Sequence, residues 1–343
     1  MAGISRRRVV AAGALAAIGA APGVGRLVRP ARGQDARFFR IATGPSESSY
    51  FAVGTLIGGV VSSPPGAREC DRGGSCGVPG LIALTQSTAG SLANVDLVGS
   101  RRIESGICQA DVAYCAYHGT GLYRRQGAVR NLRAIANLFP EHLHIVTRRE
   151  AGIREMRHLR GKTVALGERE SGTLVTARAI LQSQGIAERD LRARFLNPVQ
   201  AADALREGKL DAFFELAALP SRLVVDLAQG VEIDLLAIGP QAAARLRSAY
   251  PFFKETVIPA GAYRGLGETP TLSIGARWIV GAEVEEQVVY GLTRALWHPN
   301  NRRALDQGHA IGRLIRRETA LEEVALPLHP GAALYYFEAG VSR

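Results

Sequence analysis

The sequence lacks any long apolar run after residue 30, and it is poor in aromatic residues, which make up 6% of its 343 positions. A membrane-spanning helix needs about 18 or more consecutive apolar residues, so polytopic membrane proteins are excluded. Hydrophobic residues account for 47% and charged residues for 21%, which excludes disordered and collagen-like chains. A chain of this length exceeds what one compact core usually holds, and two lobes are therefore expected.

Acidic residues are absent from the first 33 positions, which contain six arginines. The remaining 36 basic and 31 acidic residues leave a net charge of only +5 on a large body, compared with +11 for the whole chain. No run of lysine or arginine interleaved with aromatic residues strengthens the case for nucleic acid. Nucleic acid is therefore not an expected partner.

A basic start, an uncharged stretch and a small-residue region describe a secretory signal peptide at residues 1–33. Its arginine pair resembles a twin-arginine signal, although an ordinary Sec signal is also basic at this point. A retained membrane anchor is the alternative, but an anchor needs a longer and more apolar stretch than residues 9–25. We therefore expect a periplasmic protein that does not itself span the membrane after signal cleavage.

Only four cysteines are present, and export would place them in an oxidising compartment. Cys70 and Cys76 bracket a polar, glycine-rich loop, which predicts a disulfide between them. A zinc site is the alternative, but the neighbouring sequence lacks a second pair of ligands. Cys108 and Cys115 lie in apolar surroundings and are expected to be unreactive free thiols.

Three enzyme signatures occur in fragments, and each fails in its sequence context. The P-loop-like triplet Gly161-Lys162-Thr163 precedes a predicted strand instead of following one. A G-x-S-x-G match at residues 73–77 lies in the cysteine loop, without a strand-to-helix elbow. His142 and His144 share a strand face but have no third metal ligand nearby. No catalytic constellation remains, and neither a cofactor nor a metal is expected.

Short apolar runs alternate with helix-period segments from Phe38 onward, which predicts an α/β fold with parallel sheets covered by helices. The two clearest helices are predicted at residues 50–62 and 173–184. The predicted strands are residues 38–43, 81–86, 106–109, 132–138, 143–147, 163–166, 193–196, 212–216, 233–238 and 271–280.

Two α/β lobes with a cleft between them are the expected architecture. We expect the first lobe at residues 37–147 and the second at 148–258. Residues 259–343 should then return to the first lobe, with C-terminal helices packing across both lobes.

Small hydroxyl and amide residues follow several predicted strands or begin helices. In open α/β sheets, ligands collect at the carboxyl ends of strands, and helix N-termini there offer N–H groups to a carboxylate. The alternative is that these residues only cap helices. The candidate ligand-binding residues are Ser49, Tyr50, Ser91, Asn94, Gln109, Asp111, Ser171, Gly172, Thr173 and Glu215.

These candidates have different expected roles. The N–H groups of Gly172 and Thr173 should hold a carboxylate, because a helix start has unpaired donors and a positive end. The side chains of Ser91, Asn94 and Gln109 should hold the other end of the ligand. Glu215 would accept a ligand ammonium group if it reaches the cleft. A set of donors without a nucleophile or base favours binding over turnover.

Ordered blocks along nearly the whole exported chain resemble the TAXI family of solute-binding proteins, the extracytoplasmic receptors of one branch of the TRAP transporters. The blocks that carry the resemblance include Thr43-Gly44-Pro45 and residues 49–54, 90–94, 109–114, 171–173 and 327–332. The resemblance implies a periplasmic binding fold of type II, whose two lobes close on a small carboxylate. A monomeric receptor of this kind would deliver its ligand to the membrane subunit of a TRAP transporter.

The family's ligands imply a glutamate-like amino acid or a 2-oxo or dicarboxylic acid. Glu170 and Glu215 depart from the family pattern, and extra acids near the cleft would suit a ligand with an ammonium group. Two other readings stay open. One is a periplasmic sensory protein that docks on a signalling receptor, and the other is an enzyme on the same fold.

Overall fold

The computed structural model describes residues 36–322 and 326–342, so the predicted signal peptide lies outside the described residues. The strands are β1 Arg37–Ala42, β2 Ser62–Ser63, β3 Val78–Pro79, β4 Leu81–Gln86, β5 Ser105–Gln109, β6 Leu132–Arg148, β7 Thr163–Ala165, β8 Arg192–Arg194, β9 Ala212–Ala217, β10 Ile233–Leu235, β11 Lys254–Ile258 and β12 Thr269–Gly281. The helices are α1 Ser49–Val61, α2 Ser91–Gly99, α3 Ala110–His118, α4 Gly172–Ser183, α5 Pro198–Arg206, α6 Arg222–Gly230, α7 Pro240–Ala249, α8 Glu286–Leu296, α9 Pro299–Gly308 and α10 Pro330–Glu338.

Ten of these strands form one sheet in the order β4-β1-β5-β12-β6-β9-β7-β8, with β10 beside β6 and β11 beside β12. The outer strands pair in parallel, as the alternation of strands and helices predicts. The centre differs from the prediction, because β12 and β6 pair antiparallel with each other and with their neighbours β5 and β9. The sheet is therefore mixed.

Two long strands connect the halves of this sheet. The first part of β6 pairs with β12 along Leu132–His142, and its last part pairs with β9 from His142 onward. Strand β12 pairs with β11 near its start and with β5 near its end. We call β1, β4 and β5 with the adjoining ends of β6 and β12 the first lobe, and β7 to β11 with the opposite ends the second lobe.

The continuity of β6 corrects the prediction of two separate strands at residues 132–138 and 143–147. Pro140 interrupts the apolar pattern and lacks an N–H group, which is typical of a strand end. At Pro140, one edge of β6 pairs with β12, where Gly275 lies opposite the proline. Pairing with β9 on the other edge begins only at His142. The proline is accommodated because the strand has an unpaired edge at that point.

Each lobe has its own apolar core. In the first lobe Trp278 is fully buried, and its indole N–H donates to Ser105 Oγ at 3.2 Å. The C-terminal helices α8 and α10 pack on the same core, where the Tyr336 hydroxyl accepts from the Trp297 indole at 3.0 Å and donates to the Ile135 carbonyl at 3.1 Å. These two helices therefore stabilise the lobe that contains β1.

The second lobe buries both faces of β9, and every residue of this strand is buried. Phe214 packs in a cluster with helices α4 and α7, and Phe213 packs on the opposite face with α5 and α6. A strand covered on both sides needs no alternation of polar and apolar residues, which explains why every residue of β9 except Glu215 is apolar. Within the described part of the chain, no helix is long and apolar enough to cross a membrane.

The predicted disulfide between Cys70 and Cys76 is confirmed, with the two Cα atoms 4.6 Å apart. His298 Nε2 lies 3.7 Å from Cys70 Sγ, so a third potential metal ligand is adjacent in space. The two sulfurs are bonded to each other, however, and thiolates are what zinc requires. Cys108 is buried and Cys115 is half-buried, and both are free thiols as predicted.

Removal of this disulfide should destabilise the protein by about 2 kcal/mol, because the crosslink limits the freedom of the unfolded chain over a short loop. The double variant Cys70→Ser/Cys76→Ser should therefore unfold at lower urea concentration than the wild type. A reducing agent should lower the stability of the wild type and leave that of the double variant unchanged. Equal responses of the two proteins to the reducing agent would contradict the prediction.

Candidate functional site

A cavity of about 70 Å³ lies between the lobes, at the carboxyl ends of β1 and β5 and at the starts of α1, α2 and α4. This is the position that the sequence pattern predicts for a ligand site. Most of the predicted site residues line the cavity, namely Ser49, Tyr50, Ser91, Gln109, Ser171, Gly172 and Thr173.

The first lobe contributes a chain of hydrogen bonds to the cavity wall. The Tyr50 hydroxyl lies 3.4 Å from Ser91 Oγ, which accepts from the backbone N–H of Gln109 at 3.1 Å. Tyr50 follows Ser48, the N-cap of α1, whose side chain accepts from the N–H of Phe51. Helix starts and strand ends thus fix the position of all three polar side chains.

Gln109 supplies an acceptor without a partner. Gln109 is only 2% exposed, and its side-chain oxygen Oε1 is buried. No described residue donates a hydrogen bond to this oxygen. A buried acceptor of this kind is unfavourable by about 1–3 kcal/mol unless a ligand or a water molecule completes it. Gln109 lines the cavity, so a bound ligand is placed to donate to it.

The start of α4 supplies donors from the second lobe. The side chain of Ser171 caps the helix by accepting from the N–H of Leu174 at 3.2 Å. The N–H groups of Gly172 and Thr173 have no hydrogen-bond acceptor among the residues that the structure describes. Together with the positive end of the helix dipole, they favour an anionic group at this point.

The two lobes touch each other directly beside the cavity. The carbonyl oxygen of Glu170 accepts from the N–H groups of Leu92 and Ala93 at 3.1 and 3.3 Å, at the start of α2. Glu170 has a left-handed backbone with φ of 66°, and Gly90, which precedes α2, has φ of 124° and provides no side-chain cap. A backbone carbonyl from the opposite lobe therefore takes the place of that cap, and the cleft is closed.

Glu141 is the functional group that the sequence prediction missed. It lies on β6, lines the cavity, and accepts from the Tyr50 hydroxyl at 2.7 Å. Burial raises its pKa to about 8, the Tyr50 hydrogen bond opposes this shift, and the charge of Asp111 adds to it. The sequence signal that would have revealed it is a single charged residue between two apolar runs, at residues 132–138 and 143–147.

Three of the predicted site residues do not line the cavity. Asn94 is fully buried behind it, where its amide donates to the carbonyls of Thr43 and Ile107 and accepts from Thr88. Asp111 lies buried in the first turn of α3, and burial raises its pKa to about 6. Asn94 and Asp111 therefore support the site from behind.

Glu215 is the third of these residues, and it lies on the opposite face of β9 from the cavity. Phe214 and Leu216 line the cavity, and side chains of a strand alternate between faces, so Glu215 points away. It accepts from the Ser221 hydroxyl at 3.0 Å, and burial raises its pKa to about 7. Of these two acids, Glu141 lines the cavity and Glu215 does not.

Among the residues that the structure describes, no cysteine, lysine or histidine lines the cavity. Cys108 is fully buried, and burial raises its pKa far above that of an ordinary thiol. Only the thiolate is reactive, so this cysteine is inert. The geometry therefore suits reversible binding of a small molecule.

The raised pKa of Glu141 predicts how stability changes with pH. The folded state keeps its proton up to about pH 8, whereas the unfolded chain releases it near pH 4.5. The free energy of unfolding should therefore fall as pH rises between these values, and Glu141 should contribute on the order of 4 kcal/mol of that fall. Glu215 and Asp111 act in the same direction at lower pH.

Urea unfolding of wild type and Glu141→Gln at pH 5 and pH 8 tests this expectation. The variant keeps an acceptor for Tyr50 and cannot ionise, so its stability should fall less between the two pH values. Glu150→Gln is the matched control, because the Glu150 side chain is 80% exposed. A fall in the Glu141→Gln variant as large as in the wild type would show that Glu141 is not the group responsible.

Several solved structures have a similar fold. PhnD1 from Prochlorococcus marinus MIT 9301, solved with methylphosphonate, matches with a TM-score of 0.53 at 10% identity, over 89% of this chain and 99% of its own. A protein from Bordetella bronchiseptica RB50 matches with a TM-score of 0.52 at 14% identity, over 90% of this chain and 83% of its own. The periplasmic aliphatic sulphonate binding protein SsuA from Escherichia coli gives 0.47 at 12% identity, over 88% and 83% of the two chains.

The fold of this chain is thus that of PhnD1, which agrees with the two-lobed α/β architecture predicted from the sequence. Residues 41–340, nearly all of the described chain, match one protein family. This family match agrees with the sequence prediction of a non-enzymatic binding protein. The chain belongs to the NMT1-like family.

Proposed function

We propose that this protein is an extracytoplasmic solute receptor that binds a small carboxylate between its lobes and delivers it to the membrane subunit of a TRAP-type transporter. The observation that carries the proposal is the incomplete hydrogen bonding of the closed cavity. An unpaired acceptor, Gln109 Oε1, and unpaired donors at Gly172 and Thr173 line the same small space. A ligand with both donor and acceptor groups would complete both sets.

The ligand carboxylate is proposed to bind at the start of α4. Hydrogen bonds to a charged group contribute about 1.5–3 kcal/mol each, which is more than neutral bonds contribute. A ligand held by α4 in the second lobe and by Tyr50, Ser91 and Gln109 in the first would bridge the lobes. It would then favour the closed form by its extra affinity for that form.

The transport role rests on different observations from the ligand site. The proposal that the protein is exported is based on residues 1–33, where a basic segment is followed by an uncharged one. The proposal of a TRAP transporter is based on the ordered blocks that resemble the TAXI family. In this proposal residues 37–147 and 148–258 provide the lobes that close. The chain then returns to the first lobe along β12, and α8 and α10 pack against the core of that lobe.

Gly172 provides a direct test of the cavity as the binding site. A Cβ atom at this position would lie 2.3 Å from Gln109 Oε1 and 2.7 Å from Ser91 Oγ, so Gly172→Ala should fill the cavity and hinder closure. We expect small carboxylates to raise the melting temperature of the wild type, because they bind only its folded state. Gly172→Ala should weaken that binding at least tenfold.

Gly230→Ala is the matched control, because a Cβ atom added at the end of α6 would meet nothing within 4 Å. Its ligand response should equal that of the wild type. The panel should also contain an alkylsulfonate and a phosphonate, because the similar structures include binding proteins for such anions. The proposal would be wrong if none of these compounds stabilised the wild type, or if only the sulfonate or the phosphonate did.

A further inference from the structure

The wall of the cavity opposite the hydrogen-bonding groups of the first lobe is apolar. Five side chains of the second lobe form it, namely Leu196, Pro198, Ala201, Phe214 and Leu216. Phe214 and Leu216 are both buried and come from alternate positions of β9, and Ala201 comes from α5. Such a wall contributes to affinity by removing apolar ligand surface from water.

The cavity contains acids but no fixed cation. Glu141 and Glu168 line it, whereas no lysine or arginine does so within residues 36–322 and 326–342. The N–H groups of Gly172 and Thr173 can hold one carboxylate. A second ligand carboxylate would lose its water without an opposite charge to pair with.

Two hydrogen-bond acceptors in the first lobe favour a ligand that has several hydrogen-bond donors. Glu141 receives a hydrogen bond from Tyr50 at one carboxylate oxygen, and Gln109 Oε1 receives none from the described residues. An ammonium group has three N–H donors and a positive charge, so it can donate to both residues. A 2-oxo group has no donor, so it would leave Gln109 Oε1 unpaired, and it has no positive charge to stabilise the ionised form of Glu141.

From these features we infer that the ligand is a small α-amino acid with an apolar side chain, and not a dicarboxylate or a 2-oxo acid. The inference rests on the proposed function, since it assumes that the interlobe cavity is a ligand site. The carboxylate lies at the start of α4, and the ammonium group lies between Glu141 and Gln109. The side chain packs against the wall formed by Phe214 and Leu216.

Isothermal titration of the wild type with matched ligands tests the inference. L-valine and L-leucine are compared with L-aspartate and L-glutamate, which have similar size and a second carboxylate. They are also compared with the 2-oxo analogues of valine and leucine, which lack the ammonium group. At least one of the two apolar amino acids should bind ten times more tightly than its dicarboxylic counterpart and than its 2-oxo analogue.

The outcomes separate this inference from the proposed function. Tighter binding of glutamate or aspartate would overturn the inference and leave the receptor proposal intact. Tighter binding of a 2-oxo acid would overturn the assignment of the ammonium site in the same way. If none of the carboxylates binds, the receptor proposal fails, and the inference fails with it.

Two variants then test the individual contacts. Glu141→Gln should weaken binding of the apolar amino acid at least tenfold and change binding of its 2-oxo analogue much less. Leu216→Arg should weaken the apolar amino acid and strengthen the dicarboxylate, because it places a cation in the wall. Leu334→Arg is the matched control, because Leu334 is 41% exposed and does not line the cavity, and it should bind as the wild type does. An unchanged preference in Leu216→Arg, with its melting temperature retained, would contradict the placement of the ligand side chain.

Discussion

The antiparallel register between β6 and β12 is the constraint on which both lobes depend. Each strand contributes one part of its length to each lobe, and at the crossing Glu141 lies opposite Ile274 and Pro140 opposite Gly275. A shift of one residue would turn every side chain of β6 to the other face of the sheet. Glu141 would then leave the cavity, and Tyr50 would lose its acceptor. The site is therefore an outcome of strand pairing across the whole molecule.

A buried carboxylic acid is unfavourable for folding unless its charge is paired or its proton is kept. Glu141 keeps its proton to higher pH than an exposed glutamate, and the Tyr50 hydroxyl offsets only part of the effect of burial on its pKa. Ionisable groups retained under such conditions are concentrated at functional sites. The oxygen Oε1 of Gln109, on the same cavity wall, is a second buried polar group in an unfavourable environment, because it has no hydrogen-bond partner among the described residues. A ligand that carries a positive charge and several donors would stabilise both groups.

Closure of the lobes is achieved mainly by backbone groups. The Glu170 carbonyl approaches the start of α2, and Gly172 approaches Gln109 and Ser91 where any side chain would collide. The backbone N–H of Ala218 in the second lobe also donates to Ser49 Oγ in the first, at 3.3 Å. Because these contacts come from the main chain, the polar side chains of Tyr50 and Gln109 and the donors of α4 remain directed at the cavity. Only a small cavity separates the donors of α4 from Tyr50 and Gln109, and its volume limits the size of a ligand.

The sequence by itself determined most of the elements and the region of the site. Residues that follow strands or begin helices, such as Ser91, Gln109 and Gly172, were identifiable because ligand sites of open α/β sheets lie at those positions. The disulfide was identifiable because Cys70 and Cys76 are close in sequence and enclose a polar loop. These patterns involve residues that are close in sequence, so they can be recognised without knowledge of the tertiary contacts.

The tertiary structure alone decided which side chains face the cavity. The run Ala212–Ala217 is buried on both faces, so its sequence shows no alternation that would reveal Glu215 pointing away. Pro140 made β6 resemble two separate strands in the sequence. Glu141 was therefore not recognised as part of a strand that lines the cavity. Tyr50 and Glu141 are 91 positions apart in the chain and meet only through the pairing of the central strands. The direction of a side chain and the register of distant strands are set by packing between elements, and no window of sequence contains that information.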